Sequence, residues 1–285
     1  MTEEGTVNRA ALPAIFNPED LNALEEAMAV RDRCGGTVTV ITMGLPAACQ
    51  VLREALYRGA DRAILITDRK AAASDTLATS YILSCAVKKL KADLVLCGRQ
   101  AIDGDTAQTG PQLAEKLGLP VITYAEQLLS LDGTTIRVRR NVGNGWETVE
   151  CRLPALLTVM GTANTPRPPA ARKMMKFKKA RSRAEVEKLV DESMQNDYEN
   201  YTAELKDGQV EKLCDNLTKK GLLIEQWNLD DLEADLSWCG RNGSPTKVHR
   251  IQAVVLTGGQ HKQFEPTDEG VTAMVGELIE DHTIG

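Results

Sequence analysis

The sequence is poor in aromatic residues and histidine, and its cysteines are not paired. Aromatic residues make up 4% of the chain, and the three histidines all lie near the C-terminus without ligand spacing. The seven cysteines are scattered, with no CxxC pair of the kind that zinc and iron–sulfur sites use. We therefore expect no metal site built by this chain and no disulfide framework.

A basic surplus and long apolar runs are missing as well. The formal net charge is −6, whereas proteins that bind nucleic acid in general carry an excess of cations. No apolar run approaches the roughly 18 residues of a membrane-spanning helix, and no basic-then-apolar leader opens the chain. These absences predict a cytoplasmic protein with no nucleic acid partner and no membrane insertion.

What the sequence does contain is an alternation of strand and helix patterns through its first 125 residues. Apolar runs such as TVTVITMG, RAILIT and DLVLCG are separated by helical stretches. This order predicts an α/β fold of the Rossmann-like type, with an open, mostly parallel sheet and helices on both faces. Polar and apolar residues alternate in the two segments that flank residues 142–145, and this pattern predicts a hairpin. The C-terminal part predicts an extended arm with a strand and a helix that Thr267 caps.

The most unusual stretch is the polar loop GRQAIDGDTAQTGPQLAEKLG, which directly follows the apolar run DLVLC. Ligands of open parallel sheets bind beyond the carboxyl ends of the strands. Backbone N–H groups at the start of the next helix suit phosphate oxygens, and glycine lets a ligand approach without a Cβ clash. The carboxylates of Asp103 and Asp105 repel phosphate, so they fit better as caps or as partners of ribose hydroxyl groups.

Other interpretations of this loop compete with nucleotide binding. A capped strand-to-helix turn is one, and a catalytic aspartate pair is another, although no histidine, lysine or cysteine nucleophile accompanies the aspartates. The pattern is neither GxGxxG nor a P-loop, because no GK[ST] follows. The density of polar residues favours a nucleotide site, and we predict no catalytic residue in this chain.

Several different motifs, spaced along the chain, together resemble the sequence of a known protein family. They are GRQAIDGDTAQTGPQLAEKLGLP, NPEDLNALEEA, VTVITMG, SDTLATS, PALLTVM, MMKFKKAR and, later, GSPTKV. Together they closely resemble the β (small) subunit of electron transfer flavoproteins, over roughly residues 5–180 and again at GSPTKV. The resemblance implies an adenine-nucleotide-binding α/β subunit that forms a heterodimer with an α subunit, whose FAD carries the electrons.

The resemblance also implies a ligand and its contacts. The β subunit of this family holds either AMP or, in electron-bifurcating members, a second FAD, with NAD(H) as the hydride partner. DGDTAQTGP and TMG resemble the bifurcating type, so FAD is favoured over AMP. Carried over by position, the contacts are Asn17, Pro18, Glu19, Asp20, Met43, Gly44, Gln100, Ala101, Ile102, Asp103, Gly104, Asp105, Thr106, Ala107, Gln108, Thr109 and Gly110. We add Asp75 and Thr76 because they follow a predicted strand.

We predict four segments along the chain. They are a nucleotide-binding α/β domain (1–165), a basic recognition-type loop (166–183), a charged helical insertion (184–225) and a C-terminal arm with a strand and a helix (226–285). The basic run from Arg172 to Arg183 is either a solvated charged face or, as the resemblance implies, a loop that docks a partner dehydrogenase. The insertion is expected to pack on the α subunit or on a dedicated partner.

A different class of function fits the same α/β pattern. A stand-alone adenine-nucleotide-binding protein would serve in signalling or as an adenylating enzyme. Adenylating enzymes need lysine or histidine near the triphosphate, and the polar loop offers only Arg99 ahead of the helix that follows it. An electron-carrier subunit needs no such group, so we favour it over the alternative.

Overall fold

The computed structural model describes residues 14–194, 203–247 and 262–280. The chain divides into a large compact unit, residues 8–247, and a small unit formed by residues 1–7 with 248–285. In the described part of the small unit, helix α9 (Asp268–Glu280) begins after Thr267, whose hydroxyl oxygen accepts from the N–H of Gly270 at 3.2 Å. The predicted cap is confirmed.

Helices and strands alternate in the large unit, as the sequence predicts. The helices in its described residues are α1 (Pro18–Cys34), α2 (Cys49–Arg58), α3 (Thr76–Leu90), α4 (Thr109–Leu117), α5 (Ala171–Phe177), α6 (Arg183–Met194), α7 (Ala203–Lys219) and α8 (Gly240–Gly243). The strands are β1 (Thr39–Met43), β2 (Arg62–Ile66), β3 (Leu94–Gly98), β4 (Val121–Asp132), β5 (Thr135–Asn141), β6 (Trp146–Arg152), β7 (Ala155–Val159), β8 (Arg181–Ser182) and β9 (Leu223–Trp227).

These strands form two sheets. The first sheet is parallel throughout and has the order β1-β2-β9-β8. The second has the order β3-β7-β4-β5-β6, in which β3, β7 and β4 are parallel and β4, β5 and β6 pair as antiparallel neighbours. The open, mostly parallel α/β class and the hairpin at 142–145 are confirmed, but the parallel strands are shared between two sheets.

Strands β1 and β3 each leave one edge unpaired among the described residues. Every residue of β1 is only half-buried, and so are four of the five residues of β3, whereas β7 is buried throughout. Neighbouring side chains on a strand point to opposite faces, and this is visible in β1. Val40 packs in the cluster that contains Leu24 of α1, while Ile41 packs in the cluster that contains Ile82 of α3.

The same two helices also reach the second sheet. Val30 of α1 and Leu94 of β3 pack against one hydrophobic cluster, and Leu83 of α3 and Val95 of β3 pack against another. Helices α1 and α3 therefore lie on opposite faces and connect the open edge of one sheet with the open edge of the other. This arrangement brings the ends of β1 and β3 and the starts of α1 and α3 into one region.

The charged segment after residue 183 has a small core of its own. Helices α6 and α7 pack together through Val186, Val190, Val210 and Cys214. Strand β9 follows and pairs with β2, so the end of this segment extends the first sheet. Within the described ranges, no helix combines the length and the apolar character that crossing a bilayer requires.

Candidate functional site

The polar loop begins where β3 ends, at the carboxyl edge of the second sheet. Its residues 101–106 are exposed to solvent. Asp105 and Ala107 have φ values of 52° and 53°, in the left-handed region that residues other than glycine seldom adopt. The loop turns back on itself, because the N–H of Asp105 donates to the carbonyl of Ala101 at 2.9 Å and the side chain of Gln100 donates to the Asp105 carboxylate. Such backbone outliers concentrate at ligand sites.

The start of α1 holds this loop from one side. The side chain of Asn17 makes no cap bond to its own helix. Instead its amide nitrogen donates to the carbonyl of Gln100 at 2.9 Å, and its oxygen accepts from the N–H of Ile102 at 3.2 Å. A carboxylate oxygen of Glu19 accepts from the N–H of Gln100 at 3.0 Å, and one of Asp20 accepts from the N–H of Gly98 at 2.6 Å.

The start of α3 also contacts the loop. Asp75 caps α3, accepting from the N–H of Ala78 at 2.9 Å, and its second carboxylate oxygen accepts from the N–H of Thr246 at 2.9 Å. The hydroxyl of Thr76 donates to the side-chain oxygen of Gln108 at 3.1 Å. The structure thus brings Asp75 and Thr76, predicted only from their position after a strand, to the same site.

The remaining predicted residues differ in what they contact. Met43 ends β1 and packs in the hydrophobic cluster of Ile66 and Ile82, while the N–H of Gly44 donates to the carbonyl of Ile66 at 3.0 Å. Pro18 occupies the first turn of α1. These three residues stand at the carboxyl edge, and their own contacts are with the protein core or the helix start.

The glycines of the loop serve two different purposes. A Cβ at Gly98 would lie 2.8 Å from the backbone nitrogen of Asp20, and one at Gly110 would lie 2.8 Å from the side chain of Thr158. Both glycines are therefore required for close packing of α1 and α4 on the strands. A Cβ at Gly104 would meet no atom of the described residues within 4 Å, and the φ of Gly104 lies outside the left-handed region. Close packing therefore does not require a glycine at position 104.

Two features of the site were not predicted from the sequence. The first is the segment Ser244–Thr246, and the only sequence feature that could have indicated it is the GSPTKV motif. The hydroxyl oxygen of Ser244 accepts from the N–H of Asp75 at 2.9 Å. The second is Tyr124 in β4, an exposed residue with a φ of 56° whose ring lies 5.9 Å from the guanidinium of Arg99. No periodicity in the sequence marks a left-handed residue inside a strand.

Charge at this edge is mainly negative. Arg99 is paired with Glu19, its Nε lying 3.2 Å from a carboxylate oxygen. Burial raises the pKa of Asp20, and the hydrogen bonds from Gly98 and Asn17 oppose that rise. Residues 98–110 include no lysine or histidine, so the groups that they offer to a phosphate are mainly backbone N–H groups and neutral side chains. This composition does not suit adenylate transfer.

We expect thiol labelling to report on the packing beneath the loop. Burial, together with the charge of Asp20, raises the pKa of Cys97 to about 12, and burial raises the pKa values of Cys49 and Cys239 to about 11. The thiolate is the reactive form, so iodoacetamide at pH 8 should modify exposed Cys34 first and leave these three unmodified until the protein unfolds. Mass spectrometry of tryptic peptides measures the order. Early modification of Cys97 in the folded protein would contradict the close packing of α4 on β3.

Comparisons with known proteins agree with this picture. Residues 4–190 match the family described as "Electron transfer flavoprotein domain". The chain is 38% identical to the electron transfer flavoprotein subunit beta of Clostridium acetobutylicum, over 99% of this chain and 92% of the relative. It is 45% identical to that of Thermoanaerobacterium thermosaccharolyticum, over 85% and 77%. It is 38% identical to the Caffeyl-CoA reductase-Etf complex subunit CarD of Acetobacterium woodii, over 98% and 92%.

These likenesses extend over almost the whole chain and include the polar loop and the starts of α1 and α3. A stand-alone signalling or adenylating protein is not favoured by any of them. The chain therefore belongs to the electron transfer flavoprotein family, among its β subunits.

Proposed function

We propose that this subunit binds an adenine nucleotide in the loop between β3 and α4 and works in the cytoplasm as a heterodimer with an α subunit. The observation that carries the proposal is the exposed loop at the carboxyl edge of a parallel sheet, with two left-handed residues and supports from α1 and α3. Ligands of open α/β sheets bind at such an edge. All the site residues predicted from the sequence belong to this proposed pocket.

The groups present suit a nucleotide that is held mainly through its phosphate and ribose. Backbone N–H groups at the start of α4 suit phosphate oxygens, and exposed Asp103 and Asp105 suit ribose hydroxyls.

We propose FAD as this nucleotide, with AMP as the alternative. The sequences DGDTAQTGP and TMG, which resemble the bifurcating type of the family, favour FAD. When bound, the flavin would supply the electron-carrying group of the subunit, and NAD(H) would be the hydride partner of a bifurcating heterodimer. The chain would hold the flavin, limit its exposure to water and keep it within electron-transfer distance of other cofactors.

We propose that a partner dehydrogenase docks near residues 166–183. Arg167 ties the start of this segment to α1, since its guanidinium lies 2.9 Å from the carboxylate of Glu25 and 3.0 Å from that of Asp32. Helix α5 follows and exposes Met174 and Met175 among cations. Flexible methionines with surrounding positive charge suit an acidic partner surface. The relative in Acetobacterium woodii carries the name of a reductase complex, which supports a partner of this kind.

The nucleotide can be identified by counting flavins. The heterodimer is purified after co-expression with an α subunit, denatured, and its released nucleotides are separated and quantified. We expect two FAD per heterodimer, one from each subunit. One FAD with one AMP would overturn the FAD assignment but keep the nucleotide site. Release of no adenine nucleotide from this subunit would overturn the proposed function.

A further inference from the structure

The last described residues of the large unit return to the start of α3. A serine near that end, Ser244, is 3% exposed and forms two hydrogen bonds. Its hydroxyl oxygen accepts from the N–H of Asp75 at 2.9 Å, and the hydroxyl group donates to the carbonyl of Gly240 at 2.7 Å. A buried hydroxyl group costs free energy unless it is hydrogen-bonded, so these contacts tie residues 240–244 to the N-cap of α3.

Asp75 holds two separate segments with one carboxylate. One oxygen accepts from the N–H of Ala78 at 2.9 Å and so caps α3. The other accepts from the N–H of Thr246 at 2.9 Å, one residue before the large unit ends at Lys247. An aspartate that served only as a cap would need the first contact alone. Asp75 therefore fixes the start of α3 and the end of the large unit to each other.

Residues 239–246, which we call the junction segment, fit closely against the chain at α3. Gly240 has a φ of 59°, and a Cβ there would lie 2.1 Å from the carbonyl oxygen of Lys70. The N–H of Gly240 donates to the hydroxyl oxygen of Ser74 at 3.1 Å. Cys239 is buried in a hydrophobic cluster to which α3 also contributes. Both polar and apolar contacts therefore seat the junction segment at the start of α3.

The start of α3 in turn contacts the loop between β3 and α4. The hydroxyl of Thr76 donates to the side-chain oxygen of Gln108 at 3.1 Å. Gln108 directly precedes α4, so its position affects the backbone N–H groups that the start of α4 offers to a ligand. A path of contacts thus runs from Ser244 through Asp75 and the first turn of α3 to the loop.

We propose that Ser244 is a positioning residue, which fixes the start of α3 and thereby sets the affinity of the loop for its nucleotide. The proposal rests on the proposed function of the loop. When the junction segment is released, only a fraction of the molecules keeps Thr76 oriented toward Gln108, and the apparent affinity falls in proportion to that fraction. By thermodynamic linkage, a nucleotide in the loop must stabilise the seated junction segment in return. The end of the large unit therefore responds to whether the loop is occupied.

The test compares variants of the full chain, co-purified with its α subunit and stripped of nucleotide. Ser244→Ala removes the hydroxyl group from the junction segment. Ser84→Ala is the matched control, because Ser84 is a serine of α3 itself that is 1% exposed and donates to the carbonyl of Tyr81 at 2.7 Å. Hydrogen exchange of peptides covering 74–79 and the junction segment is measured with and without ADP. Titration calorimetry with ADP measures affinity, and thermal melting measures stability.

We expect Ser244→Ala to speed exchange at 74–79 and to weaken ADP binding about fivefold. In the parent protein, ADP should slow exchange in the junction segment, and this response should be smaller in Ser244→Ala. Ser84→Ala should bind ADP and respond to it as the parent protein does, since its hydroxyl group lies outside the path of contacts.

Three results would overturn the positioning role. The first is exchange at 74–79 that is as slow in Ser244→Ala as in the parent protein. The second is ADP binding to the parent protein without slower exchange in the junction segment. The third is an equal loss of affinity in Ser84→Ala, or a lower melting temperature in Ser244→Ala with unchanged affinity, since the hydroxyl group would then be merely structural. A parent protein that binds no ADP refutes the proposed function, while exchange at 74–79 still decides whether Ser244 positions α3.

Discussion

Gly98→Val should lower the melting temperature of the heterodimer by about 5 °C and deplete its nucleotide. A Cβ at this position would lie 2.8 Å from the backbone nitrogen of Asp20 and 2.9 Å from the carbonyl carbon of Glu19. Backbone atoms cannot move aside as a flexible side chain can, so α1 must shift away from β3. Overpacking of this kind costs about 3 kcal/mol, which corresponds to several degrees for a chain of this size. The shift would also pull the side chains of α1 away from the loop.

Gly104→Val is the control for this prediction. It lies in the same loop, has open space around its Cβ position and needs no left-handed φ. We expect its melting temperature without nucleotide to match that of the parent, since exposed substitutions away from special features change stability by less than about 0.5 kcal/mol. Its nucleotide content should fall, because the added methyl groups occupy ligand space. Scanning calorimetry and nucleotide analysis measure both variants. Equal melting temperatures for Gly98→Val and the parent would contradict the close contact of α1 with β3.

The chain expressed without an α subunit should aggregate, whereas co-expression should give a yellow heterodimer that stays monodisperse. Strands β1 and β3 each leave an edge unpaired among the described residues, and the apolar side chains of β1 are only half-buried. Unpaired edges with apolar flanks are sites of association between chains. The basic α5 region adds exposed methionines. Obligate interfaces commonly bury more than about 2,000 Å², and separated subunits are then poorly stable.

Size-exclusion chromatography with light scattering tests this prediction on both preparations. The opposite edge of the second sheet provides an internal comparison. Strand β6 is also exposed, but it carries Glu147 and Glu150, which pair across the hairpin with Arg140 and Arg137. Charged edge strands resist association, and Glu147, Arg137 and Arg140 remain charged in Glu150→Ala, so that variant should leave the behaviour of the heterodimer unchanged. A lone chain that runs as a monomer with a sharp melting transition would show that the open edges and α5 do not require a partner.

Local signals in the sequence were sufficient for much of the fold. Asn17 and Pro18 predicted the start of α1, the turn at 142–145 predicted the β5–β6 hairpin, and Thr267 predicted the cap of α9. Each of these depends on neighbours within a few residues, which is why a single sequence reveals them. The length of β4 was not predicted. Strand β4 continues to Asp132, and its second half pairs with β5 through two register shifts that no local pattern announces.

Short-range patterns were enough to establish the α/β class, the order of elements and the place of the polar loop after β3. They were enough because apolar periodicity, caps and turn residues act over short distances along the chain. The residues that support the loop, in contrast, are known only from the three-dimensional packing. The side chains of Asn17, Glu19 and Asp20 are separated from Gly98 and Gln100 by about eighty positions, and no local pattern encodes a contact at that distance. The sequence also does not reveal why position 98 must be glycine, because a side chain is excluded there only by the close packing of α1 on β3.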